Sequence, residues 1–453
     1  MKGATTPPPP MPPAHMAPFV SGMRALKVFT NSRLIGYLAE FNDIWQFEYT
    51  QEWVEDPQGW SLSPGLPRAE KTIIDGSTNR PVQWYFDNLL PEEGMRSALA
   101  KTENLPEADA FALIERLGAE SAGSLTMVRM TDDLPGEQGS RPLPDADLSQ
   151  RIQQMPRVPI ASTGAKRMSM AGAQHKLMVC WDGAALTEPI GLTPSTHILK
   201  PDHPSGAYPH SVINEYAMMT LARRLGLQVP QVWRHYCPEP VYIVERFDRH
   251  HAGEGILRLH AIDSCQLLNK ARTFKYNQAR LDTLEEIINL TRNRVETRMG
   301  LYRWLVFNVI IGNHDNHLKN ISFLANQQGV RLAPAYDLLS TAVYQTQDYY
   351  TGGHPWPNIE LAIPLPGQTF YADINSEGLI EAGRVLGLSE NICQREVGRM
   401  TEKALSEMDD IIARITQENT SASKEVAAYH AGEVRLLRAI RHIVMSEMVQ
   451  RMK

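Results

Sequence analysis

Gly312-Asn313-His314-Asp315-Asn316-His317-Leu318-Lys319-Asn320, with Tyr336-Asp337 further on, is the part of this sequence on which its reading turns. The stretch follows an apolar run over residues 302–311, where a loop would leave a buried helix. An aspartate, an asparagine five positions later and a second aspartate seventeen beyond that supply what phosphoryl transfer needs. Asp315 would orient an attacking hydroxyl and take its proton, while Asn320 and Asp337 would offer oxygen ligands to Mg2+. Lys319 would neutralise charge on the transferred group. The same letters contain Gly-Asn-His-Asp, a fragment found in metal-dependent phosphoesterases, so two chemistries are open at this point.

Working outward, 453 residues are enough for two or three packed units. Apolar residues make up 43% and charged residues 21%, which predicts that most of the chain folds. A net charge of −6 without a dominant basic block argues against a dedicated nucleic-acid binder. Cys180, Cys237, Cys265 and Cys393 show no C-x-x-C spacing and read as reduced thiols of a cytoplasmic protein. No apolar run reaches the roughly 20 residues that cross a bilayer. Residues 1–23 are rich in proline and lack the apolar segment of a signal peptide. They read as an extended or disordered tail.

Residues 24–130 predict a small α+β unit, opened by a hairpin around Thr30-Asn31-Ser32-Arg33. Residues 131–159, with much Pro, Gly and acid, read as a linker. Residues 160–250 form a second α+β segment, and residues 251–453 read as nearly all helical. The expected fold class is therefore α+β: a two-lobed, protein-kinase-like arrangement with a mixed N-terminal half and an all-helical C-terminal lobe. A nucleotide would sit in the cleft between the lobes.

Three other segments suit such a cleft. Ser169-Met170-Ala171-Gly172-Ala173-Gln174-His175-Lys176 precedes a strand, and its small residues let backbone amides approach phosphates closely. Lys200 ends the apolar strand Ile198-Leu199; it would hold the α- and β-phosphates, with Glu215 on the next helix fixing its ammonium. Val244-Glu245-Arg246-Phe247-Asp248-Arg249 lies at the lobe junction, where free backbone groups of a hinge can read adenine. His314 and His317 are open between loop packing and nucleotide contact. Singly, each of these residues has an ordinary alternative as a turn, cap or solvated side chain.

Taken together and in this order, the motifs resemble the HipA family of toxin kinases from about Arg24 to the C-terminal helices. The resemblance implies a serine/threonine protein kinase of a bacterial type II toxin–antitoxin system that uses ATP and Mg2+. Asp315 would be the catalytic base, and Asn320 and Asp337 the metal ligands. Lys200 would bind phosphates, the backbone at Glu245 and Phe247 would hold adenine, and His317 and Lys319 would lie near the nucleotide. Met170, Ala171, Gly172, Ala173, Gln174 and His175 would form a phosphate-covering loop. Ser169 would be an autophosphorylated serine whose new charge expels that loop. The implied partners are a protein substrate such as an aminoacyl-tRNA synthetase and a DNA-binding antitoxin of HipB type. DNA would be reached only through that antitoxin, and no membrane is involved.

Two departures stand out: His175 replaces a frequent acidic residue, and Asn316 a frequent glycine whose left-handed geometry Asn tolerates. Two rival readings remain. A metallophosphoesterase would use Asn313 and His314, with Asp248-Arg249-His250 as a D-x-H fragment, but the chain has no Gly-Asp dipeptide. A catalytically silent binding module would have no need of Lys200, Asp315, Asn320 and Asp337 together.

Overall fold

An antiparallel sheet of five strands opens the chain, in the order β4-β3-β2-β1-β5. The strands are β1 (Arg24–Thr30), β2 (Arg33–Phe41), β3 (Ile44–Tyr49), β4 (Thr72–Ile74) and β5 (Leu125–Arg129). The structure is a computed structural model that describes residues 20–453, apart from 135, 137, 165–170, 173, 254, 351 and 422 and the side chain of Ser421. The hairpin expected at Asn31 forms, with that residue in the left-handed region. Alternation along β1 buries Leu26 and Val28 on one face. Helix Pro81–Asp87 packs on β3, and helix Ala110–Leu117 on β5. Asp109 caps the second helix by accepting from the Ala112 amide. Trp45 meets Phe111 edge-on at 5.2 Å, one ring pair of a core in which each buried side chain contributes about 1.5–3 kcal/mol.

A second, six-stranded sheet runs β10-β11-β9-β7-β8-β6. It comprises β6 (Gln138–Pro142), β7 (Leu177–Trp181), β8 (Leu186–Gly191), β9 (His197–Pro201), β10 (Val232–Tyr236) and β11 (Pro240–Glu245), and helix Ser211–Arg224 packs on β10 and β11. The segment read as a linker is corrected here: it supplies β6 and helix Asp145–Gln153. β6 is an edge strand with all five residues exposed, so it carries no apolar alternation for sequence to reveal. Glu188 fastens both pieces, accepting from Arg141 and Arg151 at 2.8 Å each.

The remainder is mainly helical, led by Leu281–Leu290, Arg294–Ile311 and Glu390–Glu418. It is not all-helical, as the sequence reading had it. Ala261–Asp263, Ser322–Asn326 and Gly329–Leu332 form a three-stranded sheet, and two further hairpins lie at Arg249–Ala252/Gly255–Arg258 and Glu360–Leu365/Gln368–Phe370. These strands are three to six residues long, too short to establish a period of two. One continuous apolar core joins the first sheet to the helices, and a smaller one lies against the second sheet. Among the described residues, no helix is long and apolar enough to cross a membrane.

Candidate active site

Helix Arg294–Ile311 is buried over its last turns and ends at Gly312, which has φ 66°. A Cβ there would lie 2.6 Å from Val444 and 2.8 Å from Ala342, so both the angle and the space demand glycine. The chain turns sharply and is then fixed by its own polar groups. Asn313 donates to the Asn308 side chain at 2.8 Å and accepts from the Asp315 amide at 3.1 Å. The Asn320 Nδ2 donates to the Asp315 carbonyl at 3.0 Å, which leaves its Oδ1 as the oxygen available to a cation. Asp315 presents its carboxylate to the cleft, with Oδ1 accepting from the Tyr276 phenol at 2.7 Å. Asn316 lies outside the left-handed region that glycine would favour there.

Asp337, by contrast, is held at φ 58°, a conformation that costs a non-glycine residue on the order of 1–3 kcal/mol. Its Oδ1 lies 2.7 Å from the Lys200 Nζ. The expected ion pair also forms, with Lys200 donating to Glu215 at 2.8 and 3.1 Å. Burial works against the Lys200 charge, but Asp337 and Glu215 outweigh it and hold the ammonium above the usual lysine range. One cation between two carboxylates cannot satisfy both equally. Burial pushes Glu215 up to about 7, whereas at Asp337 the attraction of Lys200 overcomes burial and lowers the pKa.

These residues line a cavity of about 460 Å³ between the second sheet, the Asp315 loop and the first α+β unit. Ala171, Gly172, Gln174, Glu245, Phe247, His317, Lys319 and Asn320 share that lining; His175 does not. Ser169, Met170 and Ala173 lie outside the described residues. The Lys319 ammonium is held by Asp263 at 2.6 Å and by Asn88 at 2.8 and 3.0 Å. His314 bonds Thr341 at 2.7 Å. Phe247 stacks on Tyr336 with centroids 5.6 Å apart.

Lys176, quoted within the motif but given no role of its own, is a functional candidate in its own right. It is half-buried, donates to the Ala171 carbonyl at 2.6 Å and has no carboxylate within salt-bridge reach among the described residues. Burial, with Lys200 adding repulsion, pushes its ammonium down to about 8. The buried Nδ1 of His317 also lacks a hydrogen-bond partner among the described residues. A polyphosphate with a divalent cation fits these groups: anionic oxygens for Lys176 and Lys200, and a hard cation for Asp337 and Asn320. Sequence reasoning missed Tyr276, Asp263, Glu92 and Glu93, which also line the cavity. No local pattern marks them, because their partners lie 39 to 183 positions away.

The hinge carries a different charge cluster. Arg246 grips Asp248 through two bonds of 2.9 and 2.7 Å and lies 3.4 Å from Glu120. Arg249 reaches Glu120 at 2.8 Å, and Arg258 lies 3.8 Å from it. Asp248 is thereby held at about 2, since the two arginines overcome its burial. Its engagement removes the D-x-H fragment from metal binding, and Asn313 is committed to Asn308. Among the described residues, no group of three His, Cys, Asp or Glu side chains is arranged to hold a metal. The phosphoesterase reading therefore has no assembled site.

Comparison with known proteins shows the family. The family described as the HipA-like C-terminal domain matches residues 168–418, and the HipA N-terminal domain family matches residues 26–128. A putative kinase, Y4mE, of Sinorhizobium fredii is 29% identical over 88% of this chain and 93% of its own. The serine/threonine-protein kinase toxin HipA of Shewanella oneidensis is 32% identical over 67% of this chain and 71% of its own. The solved structure of Shewanella oneidensis HipA with HipB and operator DNA superposes with a TM-score of 0.74 at 26% identity, covering 93% of this chain and 97% of that one. The chain belongs to the HipA family of serine/threonine kinase toxins.

Proposed function

We propose that this protein kinase transfers the γ-phosphoryl group of ATP, with Mg2+, to a serine or threonine of a translation-related protein such as an aminoacyl-tRNA synthetase. The observation that carries the reading is the convergence of Lys200, Glu215, Asp337, Asp315 and Asn320 on one cavity, with Lys200 within 2.8 Å of both Glu215 and Asp337. Bound Mg2+ would supply charge neutralisation across the phosphates. Asp337 and the Asn320 Oδ1 would hold that ion. Lys200 and Lys176 would fix the phosphates, while the backbone of Glu245 and Phe247 would take adenine. Asp315 would orient the acceptor hydroxyl and accept its proton. Residues 170–175 would cover the phosphates. Phosphate on Ser169 would then expel that loop, because the modification adds nearly two negative charges beside it.

The solved relative in complex with HipB and operator DNA supports a HipB-type antitoxin as partner; contact with DNA only through that antitoxin, and action in the cytoplasm, belong to the same proposal. Incubation of the purified chain with labelled ATP and Mg2+ tests the reading. Phosphate is expected on the chain itself and on the protein that an Asp315→Gln variant retains in a pull-down. Failure of any protein to gain label, with partner binding intact, would mark the chain as a silent scaffold. Mass spectrometry of active protein is expected to find phosphate at Ser169; phosphate confined to other serines removes self-inhibition and leaves catalysis standing.

A further inference from the structure

We infer that Tyr276 is a positioning residue for Asp315, and that the N-terminal α+β unit holds it in place through Glu92 and Lys275. The inference rests on the proposed role of Asp315 as base. Tyr276 lies in an irregular segment after the short helical turn Arg272–Phe274. The residue is 46% exposed, so the core has little use for it. Its phenol nevertheless donates to the Asp315 Oδ1 at 2.7 Å, and its ring stands edge-on to His317 with centroids 4.9 Å apart. A carboxylate with one oxygen fixed by a donor offers the other to an acceptor hydroxyl in a single orientation; an untethered one rotates. Burial and the neighbouring Asp315 keep the phenol protonated, as a donor must be.

The preceding residue provides the anchor. Lys275 is buried and points towards the N-terminal unit, donating to Glu92 at 2.7 Å and Glu93 at 2.9 Å. Glu93 is largely exposed, so its pair contributes little; Glu92 is buried, and its pair is the firm one. The other Glu92 oxygen lies 3.5 Å from the Lys319 ammonium, next to Asn320. The Glu92 amide donates to the Gly172 carbonyl at 3.4 Å, and the Leu318 amide to the Lys275 carbonyl at 3.1 Å. A single side chain from the N-terminal unit thus braces the residue beside Tyr276 and the residue beside Asn320, while its backbone touches the phosphate-covering loop. Glu93 also takes a left-handed φ of 47°, a strained geometry of the kind that collects at functional sites.

Steady-state ADP release with Mg-ATP and dephosphorylated casein as acceptor, on the full chain, tests this. Tyr276→Phe is expected to lower kcat roughly 10- to 100-fold while leaving the KM for ATP and the thermal midpoint unchanged. Glu92→Gln is expected to lower kcat as well. The double variant should fall no further than the worse single one, because both act through the same carboxylate. Wild-type or raised kcat in Tyr276→Phe overturns the inference, as do multiplying effects in the double variant. An Asp315→Gln control separates the two levels. An inactive control with an unaffected Tyr276→Phe removes only this inference, whereas an active control removes the proposed base itself.

Discussion

The hinge and the cleft are built from the same kinds of residue and do opposite things with them. At the hinge, Glu120 and Asp248 face Arg246, Arg249 and Arg258, and further guanidinium hydrogens end on backbone carbonyls of Ser121, Gly123, Leu192 and Ser195, while the buried Arg258 Nε has no hydrogen-bond partner among the described residues. In the cleft, Lys200 is shared by two carboxylates, Glu215 is pushed towards neutrality, and the half-buried Lys176 bonds a carbonyl alone among the described residues. A buried cluster whose charges are met mainly by the protein's own carboxylates and carbonyls serves the fold. A cluster that opens on a cavity, with a lysine bonded only to a carbonyl among the described residues, is suited to a ligand.

Asp315→Gln should separate the two most sharply. A loss of roughly 10³-fold in phosphoryl transfer is expected, with ATP affinity and thermal midpoint retained. Full activity would dissolve the functional half of the contrast. Arg246→Leu strikes the other side: it leaves Glu120 and Asp248 buried with less compensation, and a loss of about 3 kcal/mol in denaturant unfolding is expected. A stability change within ~0.5 kcal/mol would mean the hinge cluster is no tighter than a surface ion pair.

Asp337→Asn removes a charged oxygen from the proposed metal site, so Mg-dependent ATP binding by calorimetry is expected to weaken at least ~10-fold; unchanged affinity counts against Asp337 as a ligand. A pH series sharpens the closed side of the comparison. His260 is stacked on Trp60 at 3.9 Å, and its Nε2 bonds the Leu62 carbonyl. Burial lowers its pKa from 6.5 to about 4. The unfolded chain therefore takes up the proton first, so this contribution is complete above pH 6.5 and is lost as pH falls towards 4. His260→Leu should flatten that part of a plot of thermal midpoint against pH. Lys176→Met is expected to give the smallest effect, a gain of about 1 kcal/mol in the ligand-free protein together with weaker ATP binding. A loss of stability would show that Lys176 is a structural cation after all.

Much of the cleft was legible in the sequence. Asp315, Asn320 and Asp337 come from one short region, so their spacing survives without knowledge of the fold. Lys200 and Glu215 sit on a strand and the helix after it, and their pairing follows from that connection. The edge strand β6 and the short strands around Ser322 were not legible, because runs of three to five residues establish no period. Lys319 shows how the fold can redirect a residue whose sequence position was suggestive: its ammonium goes to Asp263 and Asn88.

The sequence by itself determined the chemistry on offer: a candidate base, two candidate oxygen ligands for a cation, a lysine placed for phosphates with its glutamate, and the family order in which they stand. Tertiary structure alone decided how those groups are held. Glu92 meets Lys275 across 183 positions, and Glu120 meets Arg246 across 126. A buried ion pair depends on distance, desolvation and the remaining lone pairs, none of which local spacing encodes. That is why the N-terminal unit reads in sequence as a separate α+β module, yet in the folded chain forms one wall of the cleft.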